Sequence, residues 1–116
     1  MLSFLKSLVS GGVPRIGVAE ARALLDRGAA VLVDVREPGE VHASGKAQGA
    51  ILAPLSRLRA SADPGVPAGR TLILYCASGT RSALAGRLLR ARGHADVRNL
   101  GSLGDWVAGG GAVEPA

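Results

Sequence analysis

Two apolar runs, Val31-Leu32-Val33-Asp34-Val35 and Thr71-Leu72-Ile73-Leu74-Tyr75, constrain the fold more than any other feature of the chain. Neither alternates apolar with polar residues, so neither reads as a strand with one wet face. Near-continuous Val, Leu and Ile is the pattern of strands covered on both faces, as in a parallel sheet. Parallel strands need helical crossovers, and helical patterns lie where the crossovers belong. From Val18 to Arg27, the residues Val18, Ala21, Leu24 and Leu25 share one side, and Gly28 is the stop. Pro38 opens a short helix over 39–43 that Gly45 ends. Ala50-Ile51-Leu52 is a short strand before Pro54, and Leu55 and Leu58 mark one or two helical turns. A helix from about Thr80 to Arg92 carries Leu84, Leu88 and Ala91 and ends at Gly93. Asp96 to Leu100 is a last strand, and 101–108 holds a short helix with Trp106. This order implies an α/β domain with a mostly parallel sheet and helices on both faces.

At 116 residues the chain suits one domain. An apolar segment and linker over 1–14, closing on Gly11-Gly12-Val13-Pro14, precede the domain at 15–108. A tail at 109–116, opening on three glycines, is expected to be flexible. Leu2, Leu5 and Val9 fall on one side of the N-terminal segment, which reads as a packing or partner-binding turn. Lys6 interrupts its apolar stretch and it is too short to span a membrane, so the expected location is cytoplasmic. Aromatic residues make up only 3%, which leaves little for base stacking. The net charge is +5, and twelve of the fourteen basic residues are Arg, but no dense basic run occurs. The reading is a general attraction for small anions rather than nucleic-acid binding, with a plain compositional bias toward Ala, Gly and Arg as the equal alternative. The single cysteine, Cys76, excludes an internal disulfide and a two-cysteine redox motif. His42 and His94 lie far from it in sequence, so no zinc pattern exists and neither metal nor cofactor is expected.

In α/β sheets, sites form beyond the carboxyl ends of the strands. Cys76 stands at such an end and opens the segment Cys76-Ala77-Ser78-Gly79-Thr80-Arg81-Ser82. Small side chains let the backbone curl so that successive N–H groups point inward. Backed by a helix N-terminus, those amides form an anion cradle. At its base the cysteine is expected to ionise below the usual ~8.5, with no histidine needed. Arg81 sets a guanidinium at the rim, suited to paired hydrogen bonds with an oxyanion. From spacing alone, a cysteine ending a buried strand is equally a core residue, and glycine-rich turns are common in such folds.

Several ordered blocks carry a resemblance. They are Val31-Leu32-Val33-Asp34-Val35-Arg36-Glu37 with Glu40, Gly45-Lys46-Ala47-Gln48-Gly49-Ala50-Ile51-Leu52-Ala53-Pro54-Leu55, Ile73 to Ser82, and Asn99-Leu100-Gly101-Ser102-Leu103-Gly104-Asp105-Trp106. In order and spacing they resemble the single-domain rhodanese family of thiosulfate sulfurtransferases over about residues 15 to 108. The resemblance implies a three-layer domain with a parallel five-stranded sheet flanked by helices, and Cys76 as the catalytic nucleophile. One departure is local: Gly45-Lys46-Ala47-Gln48-Gly49-Ala50 stands where the family usually has Gly-His-Ile-Pro-Gly-Ala. Loop length agrees with sulfurtransferases, four residues lying between Cys76 and Arg81. Related phosphatases and arsenate reductases have one more.

The implied reaction is a double displacement. Cys76 takes a sulfur from an anionic donor such as thiosulfate, then passes it to cyanide, a thiol or an acceptor protein. The backbone of Ala77, Ser78, Gly79, Thr80 and Arg81 is expected to bind the anionic sulfur. Arg81 is expected to hold the donor's oxyanion or brace the loop, with a salt bridge to a neighbouring helix as the alternative. Asp34, Arg36 and Ser82 are supporting residues: Asp34 accepts bonds from the loop or pairs with an Arg, and Arg36 pairs with Glu40. Lys46, Arg57 and Arg59 are candidates for a positive field at the mouth. The other reading of the same chain is a non-catalytic rhodanese-like module that docks a partner.

Overall fold

Along the second apolar run, successive side chains enter two different cores. In a computed structural model that describes residues 13–61 and 65–116, Leu72, Leu74 and Cys76 join one buried cluster while Ile73 and Tyr75 join the other. The period of two in side-chain direction is that of a strand, and both faces are covered. This is why the run is continuously apolar.

The strands of the central sheet are β1 (Ala30–Asp34), β3 (Ile51–Leu52), β4 (Thr71–Cys76) and β5 (Val97–Ser102). They lie in the order β3-β1-β4-β5, all parallel. The helices are α1 (Val18–Asp26), α2 (Pro38–Ser44), α3 (Leu55–Ala60), α4 (Thr80–Ala91) and α5 (Leu103–Ala108). Leu55 and Leu58 of α3, with Ala85 and Leu89 of α4, cover the face that holds Leu74 and Cys76. Ala21 of α1 and Trp106 of α5 cover the face that holds Ile73 and Tyr75. The three layers and the parallel sheet are those expected.

The expected fifth strand is reduced to a bridge. At the outer edge of β5, Arg15 pairs with Asn99 in parallel. Asn99 donates to Pro14 O at 2.8 Å and Ile16 donates to Asn99 O at 3.1 Å. Pro14 lacks an N–H, so the ladder has no donor there with which to continue.

The tail at 109–116 differs from the flexible segment expected. Val113–Glu114 forms β6, antiparallel to β2 (Lys46–Ala47). Trp106 Nε1 donates to Ala112 O at 2.7 Å. A Cβ on Gly111 would overlap the Trp106 indole. Gly111 lets the backbone cross the ring, while Gly109 and Gly110 pass close to Val18 and Arg22. Residues 1–12, which hold the N-terminal apolar segment, lie outside the described residues.

Candidate active site

Cys76 is the last residue of β4, and the chain then turns into α4 on the same face of the sheet. Gly79 makes the turn with φ +97°, a left-handed conformation that glycine adopts at little cost. Its N–H donates to Cys76 Sγ at 2.9 Å. Ser82 Oγ, one turn into α4, lies 3.5 Å from the same sulfur. Burial pushes the thiol pKa up, but the Ser82 hydroxyl and the N–H groups of Ser82, Ser78 and Gly79 outweigh it, and the net shift is downward. Cys76 is itself buried, beneath an exposed rim of Ala77, Ser78 and Thr80.

Arg81 lies at the rim, and its guanidinium is held from the side. Nη1 donates to Glu40 Oε2 at 2.6 Å and Nη2 to Oε1 at 2.7 Å, a paired bond across to α2. The alternative of a salt bridge to a neighbouring helix is therefore the one present. Glu40 is also tied to its own helix end, accepting from the Glu37 N–H at 2.9 Å. The bond from Arg81 and then that N–H hold its carboxyl down to about 2. Glu37 in turn accepts from Ser56 Oγ at 2.7 Å. The loop is thus linked through α2 to α3.

The expected Arg36–Glu40 pair is replaced by two separate ones. Arg36 bonds Asp34 through Nε at 3.0 Å and Nη2 at 2.8 Å. It also donates to Ser44 Oγ and to Gly45 O. Asp34 accepts the Tyr75 hydroxyl at 2.6 Å, and that hydroxyl accepts the Ala47 N–H at 2.9 Å. Asp34 is fully buried and Arg36 is 4% exposed. Asp34 is in register with Tyr75, whose side chain enters the cluster on the face opposite Cys76. This pair therefore braces the carboxyl end of β1 and the end of α2, and does not bond the loop. With its charge paired on the far face, the carboxylate does not oppose a thiolate at Cys76.

The candidates for a positive mouth are committed elsewhere. Lys46 pairs with Glu114 and donates to Ala50 O. Arg57 donates to Leu52 O, and Arg59 faces a groove with Leu84, Arg87 and Leu88. The cation beside the loop is instead Arg15. A Cβ on Gly79 would lie 3.5 Å from its Nη1, and one on Gly101 only 2.8 Å from its Nη2. Arg15 is 61 residues before Cys76, and no local pattern relates the two. The structure also brings in Asn99, whose side chain bonds both Gly79 and Ser82. The sequence offered its place in a strand and at the head of the last block of the resemblance, but no link to the loop.

Known proteins share this arrangement of chain. The rhodanese-like domain family matches residues 17–108. The chain belongs to that family. Human thiosulfate:glutathione sulfurtransferase is 31% identical to this rhodanese-like chain over 110 residues, covering 83% of it and 95% of the human protein. The structure of a human single-domain sulfurtransferase superposes with a TM-score of 0.71 at 31% identity, covering 84% of this chain and 97% of that one. A Rhodopseudomonas palustris protein of unknown function, described as a possible tyrosine phosphatase, gives 0.73 at 31% identity, covering 88% and 85%. Among the described residues no helix is long and apolar enough to cross a membrane.

Proposed function

We propose that this rhodanese-like domain is a thiosulfate sulfurtransferase working through a Cys76 persulfide. The observation that carries the reading is the Gly79 N–H on the sulfur of the chain's single cysteine, at the N-terminus of α4. An amide and a helix terminus directed at a sulfur favour its anionic form. Thiolate Cys76 attacks the outer sulfur of thiosulfate. A bond forms between Sγ and that sulfur, the donor's sulfur–sulfur bond breaks, and sulfite leaves with the electron pair. An acceptor thiolate then attacks the outer sulfur of the persulfide. The new sulfur–sulfur bond forms on the acceptor and Cys76 departs as thiolate. The human relative's name makes glutathione the first acceptor to try, with cyanide as the simplest substitute.

The sulfur's position favours this donor class. It lies below an exposed rim, so it suits a donor that presents a terminal sulfur atom. A six-residue loop from Cys76 to Arg81 wraps one sulfur, where a phosphate needs more room. Arg81, already held by Glu40, braces the loop. Among the described residues, Arg15 adds a second cation beside the loop, with its Nη2 on Leu100 O at 3.4 Å, to draw in an anion.

Mass spectrometry after incubation with thiosulfate tests the proposal. The expected result is the mass of one added sulfur atom on Cys76, removed by glutathione or cyanide and absent from Cys76→Ser. A folded protein that takes up no sulfur would favour the docking-module reading. Hydrolysis of aryl phosphates dependent on Cys76 would favour a phosphatase.

A further inference from the structure

Behind the loop, one buried side chain from a different strand holds the groups that hold the sulfur. Asn99, on β5, is 5% exposed. Its Nδ2 donates to Gly79 O at 3.1 Å. Its Oδ1 accepts the Gly101 N–H at 3.0 Å and faces Ser82 Oγ at 2.7 Å. Both lone pairs of Oδ1 are then used. Gly79 is the residue that most needs such a hold. It has no side chain to restrain its two torsions, yet its N–H must stay on Cys76 Sγ. Fixing the next peptide by its carbonyl fixes that direction.

Ser82 has one hydroxyl hydrogen and three acceptors within reach. These are Asn99 Oδ1 at 2.7 Å, Gly79 O at 3.1 Å and Cys76 Sγ at 3.5 Å. Gly79 O already accepts from Asn99 Nδ2 and from the Ala83 N–H at 3.1 Å. The hydrogen therefore rests on Asn99, and the Ser82 oxygen is left to accept from a neutral thiol. When Cys76 loses its proton, a rotation about one bond brings the hydroxyl onto the sulfur.

We propose that Asn99 is the positioning residue of the site: it keeps the Gly79 N–H on the Cys76 sulfur and holds the Ser82 hydroxyl hydrogen ready to turn to the thiolate. This rests on Cys76 being the reactive sulfur. Among the described residues, the charged neighbours of the loop are Arg81 on α4, paired with Glu40 of α2, Arg15 against Gly79, and Asp105 of α5, whose Oδ2 lies 2.6 Å from where a Cβ on Gly101 would sit. Asp34 and Arg36 neutralise each other on the far face of the sheet. None of these orients the Gly79 peptide or the Ser82 hydroxyl.

The test is a titration of Cys76, which needs no turnover. Iodoacetamide alkylation rates are measured against pH for the natural chain, Asn99→Asp, Asn99→Ala and Ser82→Ala, with circular dichroism to show that each is folded. Asn99→Asp should raise the midpoint most, by about one pH unit, equivalent to a tenfold weaker acid. A carboxylate of the same shape cannot donate to Gly79 O, and it adds a negative charge. Asn99→Ala should raise it as well, and Ser82→Ala by less. A merely structural role would lower melting temperature and leave the midpoints together. Folded Asn99 variants with unchanged midpoints would overturn the proposal. Should the Asn99 variants not fold, NMR of the natural chain decides. The Gly79 amide and the Asn99 side-chain amide should shift with the thiol's own midpoint, and resonances indifferent to it would overturn the proposal. If Asn99 variants raise the midpoint but Cys76 takes no sulfur from thiosulfate, positioning stands and the sulfurtransferase reading falls. Sulfur uptake with unchanged midpoints gives the reverse.

Discussion

Arg81 and Glu40 act as one unit, so their variants should behave alike. Arg81→Ala and Glu40→Gln each remove the same brace from the loop. Steady-state kinetics should show similar losses of kcat/KM for thiosulfate, and the double variant should be little worse than either single one. A rise in KM confined to Arg81→Ala would return the guanidinium to donor binding. The effect on stability should be small, about 1 kcal/mol or less, because both side chains are about one-third exposed. Asp34 is the opposite case. Removing one partner of a buried ion pair strands the other, so Asp34→Ala should cost about 3–5 kcal/mol in urea unfolding. It should leave the Cys76 alkylation midpoint nearly unmoved, because the pair lies on the far face of the sheet.

At the scale of elements, the site is the junction of β4 and α4, closed from the side by β5. One glycine inserted between Gly79 and Thr80 should leave the cores intact and weaken thiosulfate turnover. A longer loop carries its amides beyond hydrogen-bond distance of the sulfur. Circular dichroism and kinetics together check this, and full activity in the insertion variant would show that loop length does not matter. The β2–β6 pair is a second junction. A chain ending at residue 110 would lose the Trp106–Ala112 bond and the strand on β2. Its melting temperature should fall measurably, whereas deletion of a frayed tail would leave it unchanged.

For the whole molecule, charge sets two dependences. Glu40 is held down to about 2, below its ordinary value near 4.5. Its contribution to stability is therefore complete above about pH 4.5 and disappears as the pH falls toward 2. Glu40→Gln should flatten the acid limb of a stability–pH curve across that window. The net charge of +5 attracts anionic donors over distances that salt screens, with a Debye length of about 8 Å at 0.15 M. The thiosulfate kcat/KM should fall with ionic strength. Arg15→Ala should remove more of that slope than Arg59→Ala, because Arg15 lies against the loop and Arg59 faces the α3–α4 groove.

The sequence alone determined the layers and the position of the sulfur. Continuous apolar runs require a sheet covered on both faces, and a run of small residues after Cys76 requires a tight turn into a helix. Both are local properties, legible in windows of five to ten residues. Partnerships between side chains were decided by tertiary structure. Spacing suggested that Arg36 meets Glu40, one helical turn away. The register of β1 on β4 instead sets Asp34 beside Tyr75, and Arg36 closes on that carboxylate, leaving Glu40 for Arg81. Arg15 reaches Gly79 because Pro14 and Ile16 bond to Asn99 at the edge of β5. Asn99 reaches the loop because β5 pairs with β4 beside it, with an irregularity between Leu74 and Tyr75. Of the glycines that signalled a loose tail, Gly111 lets the chain cross Trp106. The contacts of Arg81, Arg15 and Asn99 join segments distant in sequence that only the assembled sheet brings together, and even the local Asp34–Arg36 pair takes its geometry from the register of β1 on β4.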